Sequence, residues 1–243
     1  PIVSATLDMV LGVYYLTHIK AGTKGEGKAF GTMDEAILAY DTGAIAVNSK
    51  VRLSFNGAII ETSVGRILLN DIMPPELRFV NEEMTKKDLK ILISRILETL
   101  GQDEAALFAD RLKDLAFKSV SKSGFSWGME AMKVPKEKPG LIKAAEQKVE
   151  LVKDQFNMGL LTNEERKSRV IEIWNETKNQ ITDVVRAGLD KEGPVYAMVY
   201  SKARGSESVV VQMTGMKGLM AGPTGETIEL PVKSNFKDGF NVL

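Results

Sequence analysis

The sequence predicts an α+β protein: a small mixed sheet with helices, followed by an antiparallel helical hairpin. Three observations carry this. Asn56-Gly57 sits between two β-prone runs, Val51 to Phe55 and Ile59 to Val64, and that dipeptide is the strongest short-range signal for a β-hairpin. Further on, Leu141, Ala145, Val149, Val152 and Phe156 recur at spacings of three and four, which marks one face of a helix. A second stripe, Val170, Ile173, Thr177, Ile181 and Val184, follows a short turn containing Gly159. Two such stripes joined by so short a turn fold back on each other.

The elements follow in order. Leu7 to Thr17 is apolar on most sides and reads as a short buried helix. Ala21 to Gly31, rich in Gly and Lys, reads as a mobile, exposed loop. Thr32 and Glu35 have the spacing of a capping box, so a helix should run through Ala36, Leu38 and Tyr40 and end at Gly43. Ala44 to Val47 and Val51 to Phe55 read as strands, with Ile59 to Val64 returning. Gly65-Arg66 opens Ile67 to Ile72, which Pro74-Pro75 stops. Thr85 to Leu100 carries Leu89, Leu92, Ile93, Ile96 and Leu100 on one helical face and stops at Gly101. Asp103 to Leu115 reads as a second helix, the two making a pair beside the sheet. Gly124 to Pro139 is irregular, and a domain boundary is expected there. Thr162, with Glu165 three residues on, caps the second arm of the hairpin, each arm being roughly 27 Å long. Near the end, a Pro-Thr-Gly-Glu turn leads to a short strand and then to an Asn-Phe-Lys-Asp-Gly helix start at Asn235.

Composition narrows the function. Lys plus Arg and Asp plus Glu both number 32, so there is no basic excess of the kind that a stand-alone nucleic-acid binder carries. The absence of cysteine excludes a disulfide framework and a Cys-based zinc site. A single histidine, His18, argues against a His dyad or a His-rich metal site. No run of eighteen apolar residues could span a membrane, and the opening Pro-Ile-Val has no basic n-region of a signal peptide. The abrupt start and the end inside an expected helix read as those of an excised piece.

No cluster of closely spaced aspartates, phosphate-binding Gly-x-x-x-x-Gly-Lys loop or Gly-x-Ser-x-Gly elbow is present, which argues against a self-contained active site. Arg204 stands out because Ala203 and Gly205 let another backbone or a ligand come close. Its guanidinium could fork onto phosphate oxygens, or it could satisfy carbonyls at a turn. Lys217, between Met216 and Gly218, poses the same choice between ligand and solvated charge. The hairpin tip, Asn157 to Arg169, carries Asn163, Glu164, Glu165, Arg166, Lys167 and Arg169, which read either as a partner-docking surface or as ordinary solvated charge.

Five ordered motifs resemble the largest-subunit (β′) family of bacterial RNA polymerases. LDMVLGVYYLT at the start is similar to the family's Q-D-M-V-L-G-L-Y-Y-L-T, and ETSVGRILLNDIMP at Glu61 to E-T-T-V-G-R-x-x-x-N-x-x-x-P. SGFSWGMEAMKVPKEK at Ser123 resembles S-G-x-S-x-x-I-D-D-x-x-x-P-x-x-K, and MGLLTNEERKSRVIEIW at Met158 resembles G-x-x-T-x-x-E-R-x-x-x-V-I-x-I-W. From Ser201 the chain follows S-G-A-R-G-S, Q-L-x-G-M-R-G-L-M, P-x-G and P-I-x-x-N-F-R-E-G-L. The resemblance implies a pore region over 1–133, a funnel region with the hairpin over 134–215, and the start of the cleft region and bridge helix over 216–243. It implies a secondary channel through which nucleoside triphosphates enter, with Arg204 near the triphosphate and Gln212, Lys217 and Met220 on the adjoining wall. Transcription factors would dock on the hairpin at Asn163, Glu165, Arg166 and Lys167. Other implied partners are the β, α, ω and σ subunits, template DNA and RNA, in the cytoplasm and away from membranes. The cofactor implied is Mg2+, whose three aspartate ligands precede Pro1 in the family; the trigger loop follows Leu243. This piece alone should therefore be inactive.

The departures are specific. The family's Gln before Asp8 is Leu7, its Gly before Ala203 is Lys202, its acid pair is Glu130-Ala131, its Arg at Lys217 loses the planar fork, and polar positions become Val209 and Val211. Two alternatives stay open on the sequence: a divergent phage-encoded polymerase subunit, and a non-enzymatic scaffold whose hairpin is a docking arm.

Overall fold

A computed structural model of the chain describes residues 4–240 and is mixed α and β, mostly helical, with one small sheet. The described residues divide into two units. The first takes in the chain up to Ser126 together with Ala197–Arg204; the second takes in Trp127–Tyr196 and the chain from Gly205 onward.

In the first unit, α1 (Asp8–Thr17) is buried along most of its length, as its apolar sequence requires. The sheet has the order β1-β2-β3: β1 (Ala29–Phe30) lies parallel to β2 (Lys50–Phe55), and β2 is antiparallel to β3 (Ala58–Ser63). The Asn56-Gly57 hairpin forms as expected, both residues having positive φ. Thr32 caps α2 (Met33–Asp41) by accepting from the Glu35 amide. The Glu35 carboxylate reaches one residue further back than in a capping box, to the Gly31 amide at 2.7 Å. Ser63 caps α3 (Val64–Asp71), so β3 stops one residue before Val64.

Three expectations need correction here. The loop before α2 contains β1 and is tied down, with Gly27 donating to the Lys50 carbonyl and Ala46 to the Lys24 carbonyl. That second bond takes Ala44 to Val47 out of any strand: the segment bends so that Ile45 enters the core beside the sheet. The second helix of the expected pair, α5 (Gln102–Ser123), runs well past Leu115 and ends at Gly124, in the left-handed conformation that a C-cap glycine supplies. With α4 (Lys86–Leu100), it packs around α1 rather than beside the sheet, which has its own core with α2 and α3. Gly12 makes this packing possible: a Cβ there would lie 2.2 Å from the Ala116 carbonyl oxygen of α5. Gly65 does the same for α3 on α1, since its Cβ would lie 1.9 Å from the Leu16 carbonyl oxygen. Arg66 is half buried and donates to the carbonyls of Thr17 and Asn81; burial lowers its pKa.

The second unit is built on the hairpin of α6 (Lys138–Asn157) and α7 (Asn163–Gly188), joined by a turn with Gly159 at positive φ. At 20 and 26 residues, the arms are longer than expected, roughly 30 and 39 Å at 1.5 Å per residue. The Thr162–Glu165 capping box is complete. On α7 the buried stripe is Val170, Trp174, Thr177, Ile181 and Val185. Val170, Thr177 and Ile181 are buried as expected, but Ile173 and Val184 are only half buried and give way to Trp174 and Val185, so the buried face is turned by about 40° at 100° per residue. The cause is Trp174: burying its large ring outweighs burying either neighbour. Two short helices had no sequence expectation. α8 (Pro194–Tyr200) leads back into the first unit, and α9 (Glu207–Thr214) packs on α7. After α9, the expected strand is reduced to two isolated bridges, Gly218 with Val232 and Ala221 with Thr227. The expected helix start at Asn235 is a turn instead. Asn235 is fully buried, accepts from the Asp238 amide at 2.6 Å and donates to the Thr214 carbonyl at 2.9 Å, and Gly239 at φ 84° closes it.

Candidate functional site

In the first unit, Arg204 closes a tight turn. Ser201 is fully buried, and its hydroxyl accepts from the Ala203 amide at 3.2 Å. The Ser201 carbonyl accepts from the Lys86 amide, and the Arg204 amide donates to the Met198 carbonyl. Lys202 at φ 61° and Gly205 at φ 72° both take the left-handed conformation, so the backbone reverses on either side of a buried Ala203. The guanidinium then reaches α1: Nε and Nη2 both donate to Asp8 Oδ1, at 3.2 and 3.0 Å. Each side chain remains about half exposed, 51% for Arg204 and 48% for Asp8. Arg204 therefore satisfies no turn carbonyl with its side chain. It is a half-solvated cation on a fixed backbone, and Nη1 is not used in the Asp8 contact.

Gln212, Lys217 and Met220 belong to the second unit. The structure brings the first two around one segment. The Gln212 carbonyl accepts from the Phe236 amide, and the Lys217 ammonium lies over the rings of Phe236 and Phe240, at 5.7 and 5.2 Å from their centroids. A cation over aromatic faces is held by the ring quadrupole, so Lys217 is more than a solvated charge. Met220 stands apart, exposed, with its carbonyl accepting from the Ile228 amide.

The four residues at the hairpin tip divide by their partners. Glu165 completes the cap, accepting from the Thr162 amide at 2.8 Å; that bond, first among the causes, lowers its pKa. Arg166 is largely buried and forks onto Glu229, Nη1 to Oε2 at 2.6 Å and Nη2 to Oε1 at 3.1 Å. Its Nη2 also donates to Asn163 Oδ1 at 3.0 Å, and its guanidinium lies over the Phe156 ring. The hydrogen bonds from Arg166 lower the Glu229 pKa, with Lys167 and Lys153 adding smaller attraction. Arg166 thus pins the segment after the Pro-Thr-Gly-Glu turn to the hairpin tip. Lys167 is exposed at the tip, and Met158 and Leu160 beside it are exposed apolar side chains, at 73% and 69%.

Sequence reasoning missed Asp8 and Glu229 as partners. Asp8 stands 196 residues before Arg204 and Glu229 stands 63 after Arg166, separations that no local pattern reports. Only the motif around Asp8 hinted at more than a buried helix. Among the described residues, no group of three His, Cys, Asp or Glu side chains could hold a metal ion, and no helix is long and apolar enough to cross a membrane.

Comparison with known proteins places the chain among relatives. The model of RNA polymerase Rpb1, domain 3 matches residues 1–132, and that of RNA polymerase Rpb1, domain 4 matches residues 143–237. Similar curated proteins include the DNA-directed RNA polymerase subunit beta' of Desulforudis audaxviator, 40% identical over the whole chain and 21% of the relative's length. The proteins of the same name from Dehalococcoides mccartyi (strain BAV1) and Pelotomaculum thermopropionicum are each 41% identical over the whole chain, covering 19% and 21% of their lengths. The chain thus spans about a fifth of the curated relatives it matches.

Proposed function

The chain belongs to the RNA polymerase Rpb1 domain 3 family, and from that premise we propose that it forms the secondary-channel segment of a DNA-directed RNA polymerase β′ subunit. In this reading, residues 1–133 are the pore region, 134–215 the funnel and 216–243 the approach to the bridge helix. The activity is template-directed nucleotidyl transfer, carried out in the cytoplasm by the assembled enzyme with its β, α, ω and σ subunits. Arg204 meets the incoming triphosphate, Gln212, Lys217 and Met220 line the adjoining wall, and transcription factors dock at the hairpin tip. Because Glu165 and Arg166 are occupied in the fold, and the Asn163 side-chain oxygen accepts from Arg166, docking falls chiefly to Lys167 and to the exposed Met158 and Leu160. The described residues do not fit the Mg2+ that the family implies, because they offer no three-donor cluster.

One observation carries the substrate reading. Arg204 is a half-exposed guanidinium on a backbone fixed by two left-handed residues. Such a group binds phosphate oxygens through charge-assisted bonds and loses little backbone freedom in doing so. Chemistry at the transferred phosphorus is outside its reach as an acid or base, because guanidinium stays protonated. Its part is to bind and orient. In assembled polymerase, Arg204→Ala should lower kcat/KM for nucleotide about ten- to a hundredfold, mainly through KM. Arg204→Lys should recover part of that, returning charge without the fork. Extension rate measured against nucleotide concentration decides the matter: an unaltered concentration dependence in a well-folded Arg204→Ala enzyme removes Arg204 from the site.

A further inference from the structure

We infer that Asp8 is a positioning residue for nucleotide binding, acting through Arg204; this deepens the Arg204 reading and rests on it. The turn from Ser201 to Gly205 fixes where the Arg204 Cα stands, through the bonds of Ser201 to Ala203 and of Arg204 to Met198. It does nothing to fix the long side chain, whose rotamers are numerous in solution. Asp8 supplies that restraint. Its Oδ1 receives both Nε and Nη2, so one edge of the guanidinium is held against the first turn of α1. α1 is a rigid support, since Val10, Leu11, Val13 and Tyr14 of the same helix are all in the core. The unused Nη1 edge is left to take a phosphate oxygen. Freezing a rotamer-rich side chain before the ligand arrives removes an ordering cost from binding.

The pair is poorly suited to a structural role. Both partners are about half exposed, and an exposed ion pair contributes little to stability. That separates function from folding in the test. Polymerase would be assembled from the full-length subunit carrying Asp8→Ala, Asp8→Glu, Arg204→Ala or the double substitution. Each enzyme's KM and kcat for nucleotide would be measured, with a melting curve as a folding control. Asp8→Ala should raise KM about two- to tenfold with a smaller change in kcat. Asp8→Glu, which restores a carboxylate with a longer reach, should recover part of it. The double variant should be no worse than Arg204→Ala, because Asp8 has no role once its client is gone. If Arg204→Ala raises KM while Asp8→Ala does not, or if the two losses multiply, the positioning role is overturned and the Arg204 reading survives. If Arg204→Ala leaves KM unchanged, both are overturned together.

Discussion

Lys202 stands at φ 61°, where an L-residue crowds its own carbonyl at a cost of about 1–2 kcal/mol. The motif that this stretch resembles carries glycine at that position, and the backbone explains why: the turn that delivers Arg204 needs a left-handed residue. Lys202→Gly should therefore stabilise the purified chain by about 1 kcal/mol, the relieved strain being partly offset by the freedom that glycine gains when unfolded. Chemical denaturation would read it, and an unchanged or lower midpoint would count against the strain. At the hairpin tip, Glu229 has a lowered pKa because Arg166 donates to it. A carboxylate whose folded pKa is depressed contributes stability above its unfolded pKa, near 4.3, and loses it as pH falls through the lower folded value. The melting temperature of Glu229→Gln should thus fall short of the parent's at neutral pH. The gap should narrow as pH drops below about 4. A gap that stays constant into acid would show that the Arg166–Glu229 charge pair is not what Gln disrupts.

Periodicity gave the helices where the apolar spacing was regular, and the turn chemistry of Asn56-Gly57 and Thr162 gave the joints. What it missed was decided by tertiary neighbours. Ala44 to Val47 is β-prone, yet Ala46 bonds to Lys24 and the segment bends. The end of α5 is hidden from the pattern because its later face is mixed: Ala116 and Ser119 are buried while Phe117 is exposed. The shift on α7 is the sharpest case. Ile173 and Trp174 are adjacent, both suit a core, and only tertiary packing selects between them. Trp174 is 3% exposed, and the Lys233 ammonium lies over its ring at 5.6 Å from the centroid. Trp174→Ala should cost about 3–5 kcal/mol, and Ile173→Ala, at a half-buried position, about 1 kcal/mol. Thermal or denaturant unfolding followed by far-UV circular dichroism would compare them. Equal losses would mean that the two residues share the interface and that the stripe does not centre on Trp174. The candidate site was less legible than the elements. Arg204 could be singled out from its small neighbours, but Asp8 and Glu229 are distant in sequence, so neither the Arg204–Asp8 pair nor the pinning of Arg166 to Glu229 shows in a local pattern.

At the scale of the molecule, folding units and sequence segments do not coincide. The two family models divide the chain in linear order, yet Ala197–Arg204 lies inside the second match and folds with the first unit. The return is more than a passing strand. Ala197 and Ala203 are buried in the same core as α1 and α5, Met198 packs against it, and the Tyr200 ring meets Tyr14 edge-on at 6.0 Å. The Ser201 carbonyl also takes the Lys86 amide at the start of α4. A chain ended at Ser126 would keep every strand of the sheet but lose this patch, leaving apolar surface of α1 and α5 in water. At about 25 cal/mol per Å2 of exposed apolar area, with the lost hydrogen bond added, the first unit should weaken by an amount on the order of a few kcal/mol. Native-state hydrogen exchange can test this residue by residue. Amides of α1 and α5 should exchange at least about tenfold faster in the shortened chain than in the whole one, each 1.4 kcal/mol being worth one such factor, while amides of β2, whose Val51 and Leu53 lie in the separate core beside the sheet, should change less. Equal protection of α1 in both chains would mean that Ala197–Arg204 merely rests on a unit already complete. The expected loss would mean that the segment bearing Arg204 is part of the same fold as Asp8, so that the two side chains meet because the core beneath them is shared.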